Sequence, residues 1–312
     1  MPGSCGELVQ GTSSGINFHV TCPVNLYSEV TVTLVPSLKK IFFPKERIKT
    51  ARAVRKILDY FGYPEFGAII EVASNLPLSK GMASSTADLA AACYAVGAAL
   101  KIQLDPGVIA KIALSIEPSD GTFYRGIWLF DHVKGLIQEN LGEPLPLGIL
   151  ALDFGGIVDT FKFNQNPDLP SFNQMNETKT KRALELVRSG LSRQDPFLVG
   201  EGATLSALAN QVINPKPRFR ELVDFVLERG AYGVNVAHSG TVAGVLLPPG
   251  LERNRQFIYK IREGFPEVKN FYPLRLAKGG GRYLGRIQKR REEVCKITST
   301  GEIFLQLQQN TG

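Results

Sequence analysis

The sequence predicts an α+β protein of two domains, because strand and helix patterns are mixed along a chain long enough for two cores. The chain has 312 residues, and domains of ordinary size hold about 100–200 residues each. Its composition is 44% hydrophobic and 21% charged, which is typical of folded globular proteins. We place the domain boundary near residue 160, so the predicted domains are residues 1–160 and 161–312.

Strands and helices alternate in the N-terminal half. Residues 25–36 alternate in polarity and are rich in Val and Thr, which favours a strand. A predicted helix follows, with apolar residues at helical spacing, and it stops at Gly62. Residues 67–77 predict a short strand that leads directly into the segment KGMASSTAD, residues 80–88. A loop containing glycine and serine therefore connects a strand to a helix.

Two helices and a strand are predicted after this loop. The first helix has one apolar stripe surrounded by alanines, which favours close packing inside the protein. The second begins with Asp105 as the N-cap and Pro106 at the first helical position. It should end near Glu117, because a residue that precedes proline disfavours the helical conformation. Residues 117–121 are then a loop, and residues 126–130 are a strand.

The C-terminal half opens with a predicted strand over residues 147–156 and continues with an irregular polar stretch over residues 164–180. Residues 231–247 predict two short strands around a Gly/Ser turn. The helices predicted between these segments span residues 181–189, 196–210 and 218–230.

Several classes of protein do not fit the sequence. No apolar run approaches the roughly 18 residues that span a bilayer, and the N-terminus lacks the features of a signal peptide. We therefore expect a cytoplasmic protein with no membrane partner. The four cysteines form no Cys-x-x-Cys pair, which argues against a zinc site or a disulfide framework. The three histidines are isolated in the sequence, so we expect no metal centre built from histidine.

The formal net charge is +7, and residues 275–294 form a strongly basic stretch. Such a stretch can bind nucleic acid, or it can be a solvated helix face that attracts anionic nucleotides in a general way. Glu292 and Glu293 close the run, and no nucleic-acid-binding module is present. We therefore predict no nucleic-acid partner.

The loop before the alanine-rich helix allows two interpretations. Ser84, Ser85 and Thr86 are of residue types that cap helices. Alternatively the loop holds an anion, because free N–H groups and the helix dipole together attract phosphate. The Walker A pattern is absent. An Asp-Phe-Gly triplet at residues 153–155 lacks the other protein-kinase motifs, and we interpret it as a coincidence at a strand end.

Three segments resemble the motifs of the GHMP kinases, the family of galactokinase, homoserine kinase and mevalonate kinase. PLSKGMASSTAD, residues 77–88, resembles the second motif, with Met82 in place of a leucine and Ala83 in place of a glycine. PGSCGELVQG, residues 2–11, resembles the first motif, and NVAHSGTVAGVLL, residues 235–247, the third. The three occur in the family's order across nearly the whole chain.

The resemblance implies a GHMP kinase-like fold, with an N-terminal domain like domain 2 of ribosomal protein S5 and a C-terminal ferredoxin-like domain. ATP and Mg²⁺ are the implied cofactors. Within the family, the motifs are most similar to those of the L-threonine kinases of cobalamin (coenzyme B12) synthesis, which make O-phospho-L-threonine. There are two alternatives. The acceptor is homoserine or another small alcohol, or the protein is a sensor that binds ATP without turnover. The resemblance is also compatible with a homodimer.

The resemblance also assigns residues to the nucleotide and the metal. Ser85 and Glu117 would bind Mg²⁺, a cation that prefers oxygen ligands. Lys80 allows two interpretations: its side chain contacts a phosphate, or it is an ordinary lysine on a solvated loop. The residues implied in phosphate binding are Lys80, Gly81, Met82, Ala83, Ser84, Ser85 and Thr86.

Asp120 is the candidate general base that accepts the proton of the substrate hydroxyl, although Ser-Asp-Gly at this point is also an ordinary turn sequence. Glu7 and Gln10 would meet the ammonium group of an amino-acid substrate, and for Glu7 a surface carboxylate is the alternative. The residues implied in binding this small-molecule substrate are Ser4, Glu7, Gln10, Ser239 and Gly240.

Overall fold

The fold is built on one ten-stranded sheet. The computed structural model describes residues 1–36, 38–158, 163 and 165–284. The strands are β1 (Pro2–Ser13), β2 (Ile16–Val35), β3 (Ile41–Phe42), β4 (Gly67–Ser74), β5 (Ile127–Phe130), β6 (Gln138–Gly142), β7 (Gly148–Asp153), β8 (Gly233–Val236), β9 (Val242–Leu247) and β10 (Asn270–Arg275). The α-helices are α1 (Ile48–Tyr60), α2 (Ser84–Leu100), α3 (Pro106–Leu114), α4 (Leu169–Arg193), α5 (Pro196–Asn210), α6 (Phe219–Leu227) and α7 (Arg255–Gly264).

The first strand of the chain lies in the middle of the sheet. The main strand order is β10-β7-β9-β8-β1-β2-β4-β3, and β5 pairs with both β2 and β6. The β1–β2 ladder is antiparallel, with register shifts between Pro2 and Val9. Such bulges re-aim side chains and are common beside active sites. The first motif therefore lies on an irregular strand between the two halves of the sheet.

The second strand is longer than the sequence predicted. We expected a strand over residues 25–36, but β2 begins at Ile16. Its first part pairs with β1 and is mostly buried, so it lacks the alternation of polar and apolar residues that marks a half-exposed strand. Its second part, from Ser28 to Val35, pairs with β4 and carries the alternating pattern.

The segment predicted as irregular, residues 164–180, is helical from Leu169 onward. It continues into the predicted helix 181–189 as the single helix α4. The added turns bury Asn173, Asn176 and Thr180. Because the inward side chains are polar, the sequence shows no apolar periodicity there, which is the signal a helix prediction needs.

The other predicted elements of the two halves are confirmed. The predicted helix 196–210 matches α5. Asp105 caps α3 by accepting a hydrogen bond from the Gly107 N–H, and the helix ends at Leu114, shortly before Glu117. Strands β1, β3, β6 and β10 and helix α7 were not predicted from the sequence.

Helices cover the sheet and enclose the core. In the N-terminal part α2 packs on β2, with α1 and α3 against it, while α4 and α5 pack on β1. Cys5, Cys22 and Cys93 are buried as free thiols, whereas Cys295 lies outside the described residues. No helix in the described part of the chain is long and apolar enough to cross a membrane.

The sheet joins both halves of the chain. Residues Met1–Arg282 form one compact unit, and Glu7 of β1 pairs with Val236 of β8. The domain boundary near residue 160 stays a prediction. Of the basic stretch 275–294, residues 285–294 lie outside the described residues.

Candidate active site

The second motif forms a tight loop between β4 and α2. Ser79, Gly81 and Ala83 have left-handed φ values of 58°, 81° and 52°. Ala83 is the N-cap of α2, and no side chain among the described residues caps the helix. The serines and threonine are thus not used as the ordinary cap that was one interpretation of the sequence. The first turn of α2 presents its N–H groups as an anion site requires.

The first and third motifs hold this loop in place. The Ser4 N–H donates to the Met82 carbonyl (3.1 Å) and the Gly6 N–H to the Gly81 carbonyl (3.3 Å). From the other side, the Thr241 N–H donates to the Lys80 carbonyl (3.0 Å). The Met82 side chain is fully buried and anchors the loop in the core. The three motifs, predicted separately along the sequence, therefore meet.

Glycine is required where the second and third motifs touch. A Cβ on Gly240 would lie 2.2 Å from the Lys80 carbonyl oxygen and 2.4 Å from the Gly81 Cα. A Cβ on Gly81 would lie 2.3 Å from the Cβ of Ala237. The two backbones approach so closely here that only glycine fits, and this contact fixes the conformation of the loop.

Lys80 is neither a solvated loop lysine nor an isolated one. Its Nζ lies 3.1 Å from Oδ2 of Asp153 and donates to the Gly156 carbonyl at 2.7 Å. Asp153 is fully buried at the end of β7 and also accepts from the Thr241 hydroxyl (2.6 Å) and the Asn270 amide (3.0 Å). Burial alone would raise the pKa of Asp153, but these donors outweigh it and hold that pKa below its usual value.

Asp153 is the first residue of the Asp-Phe-Gly triplet that the sequence led us to interpret as a coincidence. The structure adds a contact that the sequence did not suggest, because this carboxylate links the loop to the third motif. The triplet still has no protein-kinase role. The feature of the sequence that could have indicated Asp153 is an acidic residue at the end of an apolar strand.

The two predicted metal ligands lie together. The Ser85 hydroxyl, at the start of α2, donates to Oε1 of Glu117, which follows α3. The other carboxylate oxygen of Glu117 pairs with Lys49 of α1. A hydroxyl and a carboxylate oxygen beside a helix N-terminus form a donor set that suits Mg²⁺.

Asp120 lies at the inner end of the same region, before a short 3-10 turn, Gly121–Phe123. Its backbone N–H donates to the Thr86 hydroxyl (3.3 Å), which ties it to the second motif. Its Oδ1 is buried and has no hydrogen-bond partner among the described residues. Burial raises the pKa of Asp120 to about 6, against the opposing effect of the Ser4 hydroxyl and the Gly121 N–H.

Glu7 is not the surface carboxylate that was its alternative interpretation. It is buried, and its Oε2 accepts a hydrogen bond from the His238 N–H at 2.7 Å. Burial, and then the negative charge of Asp120, raise the pKa of Glu7 well above its usual value. Lys216, which the sequence did not single out, is also buried; burial lowers the pKa of Lys216 to about 8, and the charge of Glu7 partly opposes that.

The other predicted substrate residues line the same region. The Ser4 hydroxyl is buried and donates to the Gly6 carbonyl (2.7 Å). Gln10 donates to the Val236 carbonyl (3.0 Å) and accepts from the Asn210 amide (2.9 Å).

The turn that carries Ser239 and Gly240 is held by one side chain. The Asn214 amide donates to the carbonyls of His238 (3.2 Å) and Gly240 (3.0 Å). Every substrate residue predicted from the first and third motifs therefore lies on the wall formed by β1 and this turn.

The three histidines converge, contrary to the isolation expected from the sequence. His19, His132 and His238 are all buried, and ligating atoms from the three lie within 4.8 Å of one another. The rings of His19 and His132 are stacked, with centroids 3.6 Å apart. No spacing in the sequence signals this cluster, because β2, the end of β5 and the third motif meet only in the folded chain.

Comparisons with known proteins agree with the resemblance to the GHMP kinases. Residues 48–125 match the family model described as the GHMP kinases N terminal domain. The chain is 37% identical over 271 residues to an L-threonine kinase of Salmonella typhimurium strain LT2, a match that covers 86% of this chain and 87% of the relative. It is 38% identical over 264 residues to an L-threonine kinase of Citrobacter freundii, covering 84% and 88%.

The fold is similar to solved structures as well. A homoserine kinase from Cytophaga hutchinsonii superposes with a TM-score of 0.66 over 89% of this chain and 94% of that one. The sequence identity in this match is 19%, so the match concerns the fold alone. The predicted α+β fold of GHMP kinase type is confirmed.

Proposed function

Since the chain belongs to the GHMP kinase family, we propose that it transfers the γ-phosphoryl group of ATP to the hydroxyl of L-threonine, giving O-phospho-L-threonine for the nucleotide loop of cobalamin. The observation that carries this proposal is the 37–38% identity to two L-threonine kinases over most of the chain. We further propose that the reaction takes place in the cytoplasm.

The second motif is the proposed phosphate site. The backbone N–H groups of residues 81–86 would hold the phosphates at the start of α2, and Lys80 would contribute its charge from the Asp153 pair. Ser85 and Glu117 would hold Mg²⁺, which supplies charge neutralisation on the transferred group when bound. The close contact between Gly81 and Gly240 supports this assignment, because it fixes the backbone of the loop whose N–H groups would hold the phosphates.

Asp120 is the proposed general base. With a pKa of about 6, the Asp120 carboxyl group is mostly ionised at neutral pH. Its Oδ1 has no hydrogen-bond partner among the described residues that would compete for the proton. A base whose pKa lies near the working pH accepts a proton most effectively. Asp120 would take the proton of the threonine hydroxyl as the oxygen attacks phosphorus.

An amino acid carries one positive and one negative group, and the site offers one buried partner for each. Glu7 would meet the α-ammonium group and Lys216 the α-carboxylate. Both side chains are buried, and the charge of each one partly opposes the pKa shift that burial causes in the other. Ser4, Gln10, Ser239 and Gly240 are proposed to line the pocket around them.

Phosphorus NMR of the product tests the acceptor. Threonine, serine, homoserine, mevalonate and galactose are supplied one at a time with Mg·ATP. Serine lacks one methyl group, and a pocket gains only about 1–3 kcal/mol from that difference, so serine should react about 10–200-fold less efficiently than threonine. Homoserine should react more poorly still, because its hydroxyl is displaced from the phosphoryl group.

The other candidate functions give different results in this experiment. Phosphohomoserine as the main product would mean that the family is right and the acceptor is wrong. ATP binding with no product from any alcohol would favour a sensor.

A further inference from the structure

The chain contains three histidines, and all three form one buried cluster beside Glu7. His19 lies on β2, His132 lies two residues after the end of β5, and His238 belongs to the third motif. Ligating nitrogens from the three rings lie within 4.8 Å of one another. This histidine cluster has no part in the reaction proposed above.

Two of the rings have polar atoms without partners. Both ring nitrogens of His19 and the Nδ1 of His132 are buried with no hydrogen-bond partner among the described residues. The nearest acid, Glu7, has its Oε1 3.8 Å from the His19 Nδ1, which is too far for a hydrogen bond. Buried polar atoms are nearly always paired. A neutral imidazole has one N–H and one lone pair, so these unpaired nitrogens are consistent with a ligand that accepts one lone pair from each ring.

The third ring is held in the tautomer that a metal ligand needs. The His238 Nδ1 lies 2.8 Å from the Oε1 of Gln10. That atom is the amide oxygen, because it also accepts from Asn210 while the Gln10 Nε2 donates to the Val236 carbonyl. The His238 Nδ1 must therefore carry the proton, and its Nε2 keeps a lone pair. Metal-binding histidines are commonly oriented by such a bond.

We propose that His19, His132 and His238 together bind one divalent transition-metal ion of the class that prefers imidazole, such as Zn²⁺ or Co²⁺. Three histidines with an open fourth position are a known zinc arrangement. At metal–nitrogen distances of about 2.0–2.1 Å, tetrahedral ligand nitrogens lie about 3.4 Å apart. Binding would therefore bring the nitrogens closer together than the present limit of 4.8 Å. It would also turn the ring of His19 or His132 out of the stacked arrangement, because the lone pair of each ring lies in the ring plane and both must point at one ion. The site is distinct from the oxygen ligands Ser85 and Glu117, which suit Mg²⁺.

Co²⁺ titration of the full-length protein, without a histidine tag, tests the proposal. The protein is first treated with a chelator, and no ATP is present. We expect one equivalent of Co²⁺ to bind with the visible absorption of tetrahedral cobalt, and Zn²⁺ to displace it. His132→Gln should abolish this absorption, whereas the control Glu117→Gln, at the proposed Mg²⁺ site, should retain it.

A second variant addresses the orientation of the cluster. Gln10→Leu removes the acceptor of His238 without removing a ligand, and it should weaken Co²⁺ binding about 10–100-fold. Circular dichroism establishes that each variant is folded. The proposal is overturned if the folded wild-type protein gives no tetrahedral spectrum, if the spectrum survives in His132→Gln, or if it disappears in Glu117→Gln. None of these outcomes depends on kinase activity, so the result stands apart from the proposed function.

Discussion

The ammonium group of Lys80 is paired with the carboxylate of Asp153, with 3.1 Å between Nζ and Oδ2. Lys80 belongs to the second motif and Asp153 ends β7, on the other side of the third motif. Because the Thr241 hydroxyl and the Asn270 amide donate to the same carboxylate, one buried acid fixes the loop, the glycine turn and β10 together.

Asp153→Asn should weaken both ATP use and stability. The amide keeps the size of the side chain but leaves Lys80 without its counter-charge, and breaking a buried pair costs about 3–5 kcal/mol. Urea unfolding and the KM for ATP measure the two effects. Asp59→Asn, which breaks the surface pair with Arg55, is the control and should cost under about 1 kcal/mol. Equal losses in the two variants would show that Asp153 has no organising role.

Ser85→Ala should lower kcat/KM for Mg·ATP about 10- to 100-fold, the equivalent of one hydrogen bond to a charged group. The hydroxyl contacts Glu117 and does not cap α2, so the melting temperature should change little. Ser115→Ala is the control, because among the described residues its hydroxyl donates to the Ile112 carbonyl alone, at the end of α3. Normal kinetics with a lowered melting temperature in Ser85→Ala would contradict the proposed metal site.

Asp120→Asn should depress kcat about 10²–10⁴-fold, since the amide cannot accept a proton. ATP binding, measured by calorimetry, should persist. Asp105→Asn serves as the matched change, because asparagine is as good an N-cap for α3 as aspartate. If Asp120→Asn kept kcat within a few-fold of the wild type, Asp120 would be a turn residue and not the base.

The same variant should alter the pH dependence of stability. The pKa of Asp120 rises from 3.8 to about 6 on folding, so the folded protein binds this proton more tightly than the unfolded chain. The resulting stabilisation is complete below about pH 4 and is lost as the pH rises through about 6. Asp120→Asn lacks that loss, so at pH 8 it should be the more stable protein, by up to about 3 kcal/mol.

Melting temperatures of the two proteins from pH 4 to pH 8 provide the measurement. The gap between them should open as the pH rises. In the wild type, kcat/KM should fall as the pH drops below about 6, because the protonated acid cannot act as a base. A constant gap across this range would mean that the carboxyl is not held at a raised pKa.

The three motifs could be predicted because each is a local pattern. A strand, a glycine turn and a helix start lie within about ten residues, and their chemistry depends on backbone conformation that the sequence specifies locally. The positions of Ser85, Glu117 and Asp120 follow from such patterns together with the family resemblance. The structure adds that these residues contact one another or the same loop.

Lys216, Asp153 and the histidine cluster could not be predicted in the same way. Lys216 lies in a connection without periodic pattern, and its significance comes from being buried near Glu7. His19 and His238 are far apart in the chain, and only the placement of β1 between β2 and β8 brings them together. The buried face of α4 was missed because its first turns bury polar residues such as Asn173 and Asn176, which leave no apolar periodicity in the sequence.

The placement of β1 also determines when the proposed acceptor site can form during synthesis. The His238 N–H reaches the Glu7 carboxylate across a sequence separation of 231 residues. The ribosome adds about 5–20 residues per second, so Glu7 leaves the exit tunnel well before its partner exists. Until β8 has emerged, β1 presents an unpaired edge at what will become the middle of the sheet, a surface prone to wrong pairing. A nascent or truncated chain that ends before residue 233 therefore lacks one wall of the proposed acceptor pocket, and it also lacks the Thr241 N–H that holds the phosphate loop at Lys80.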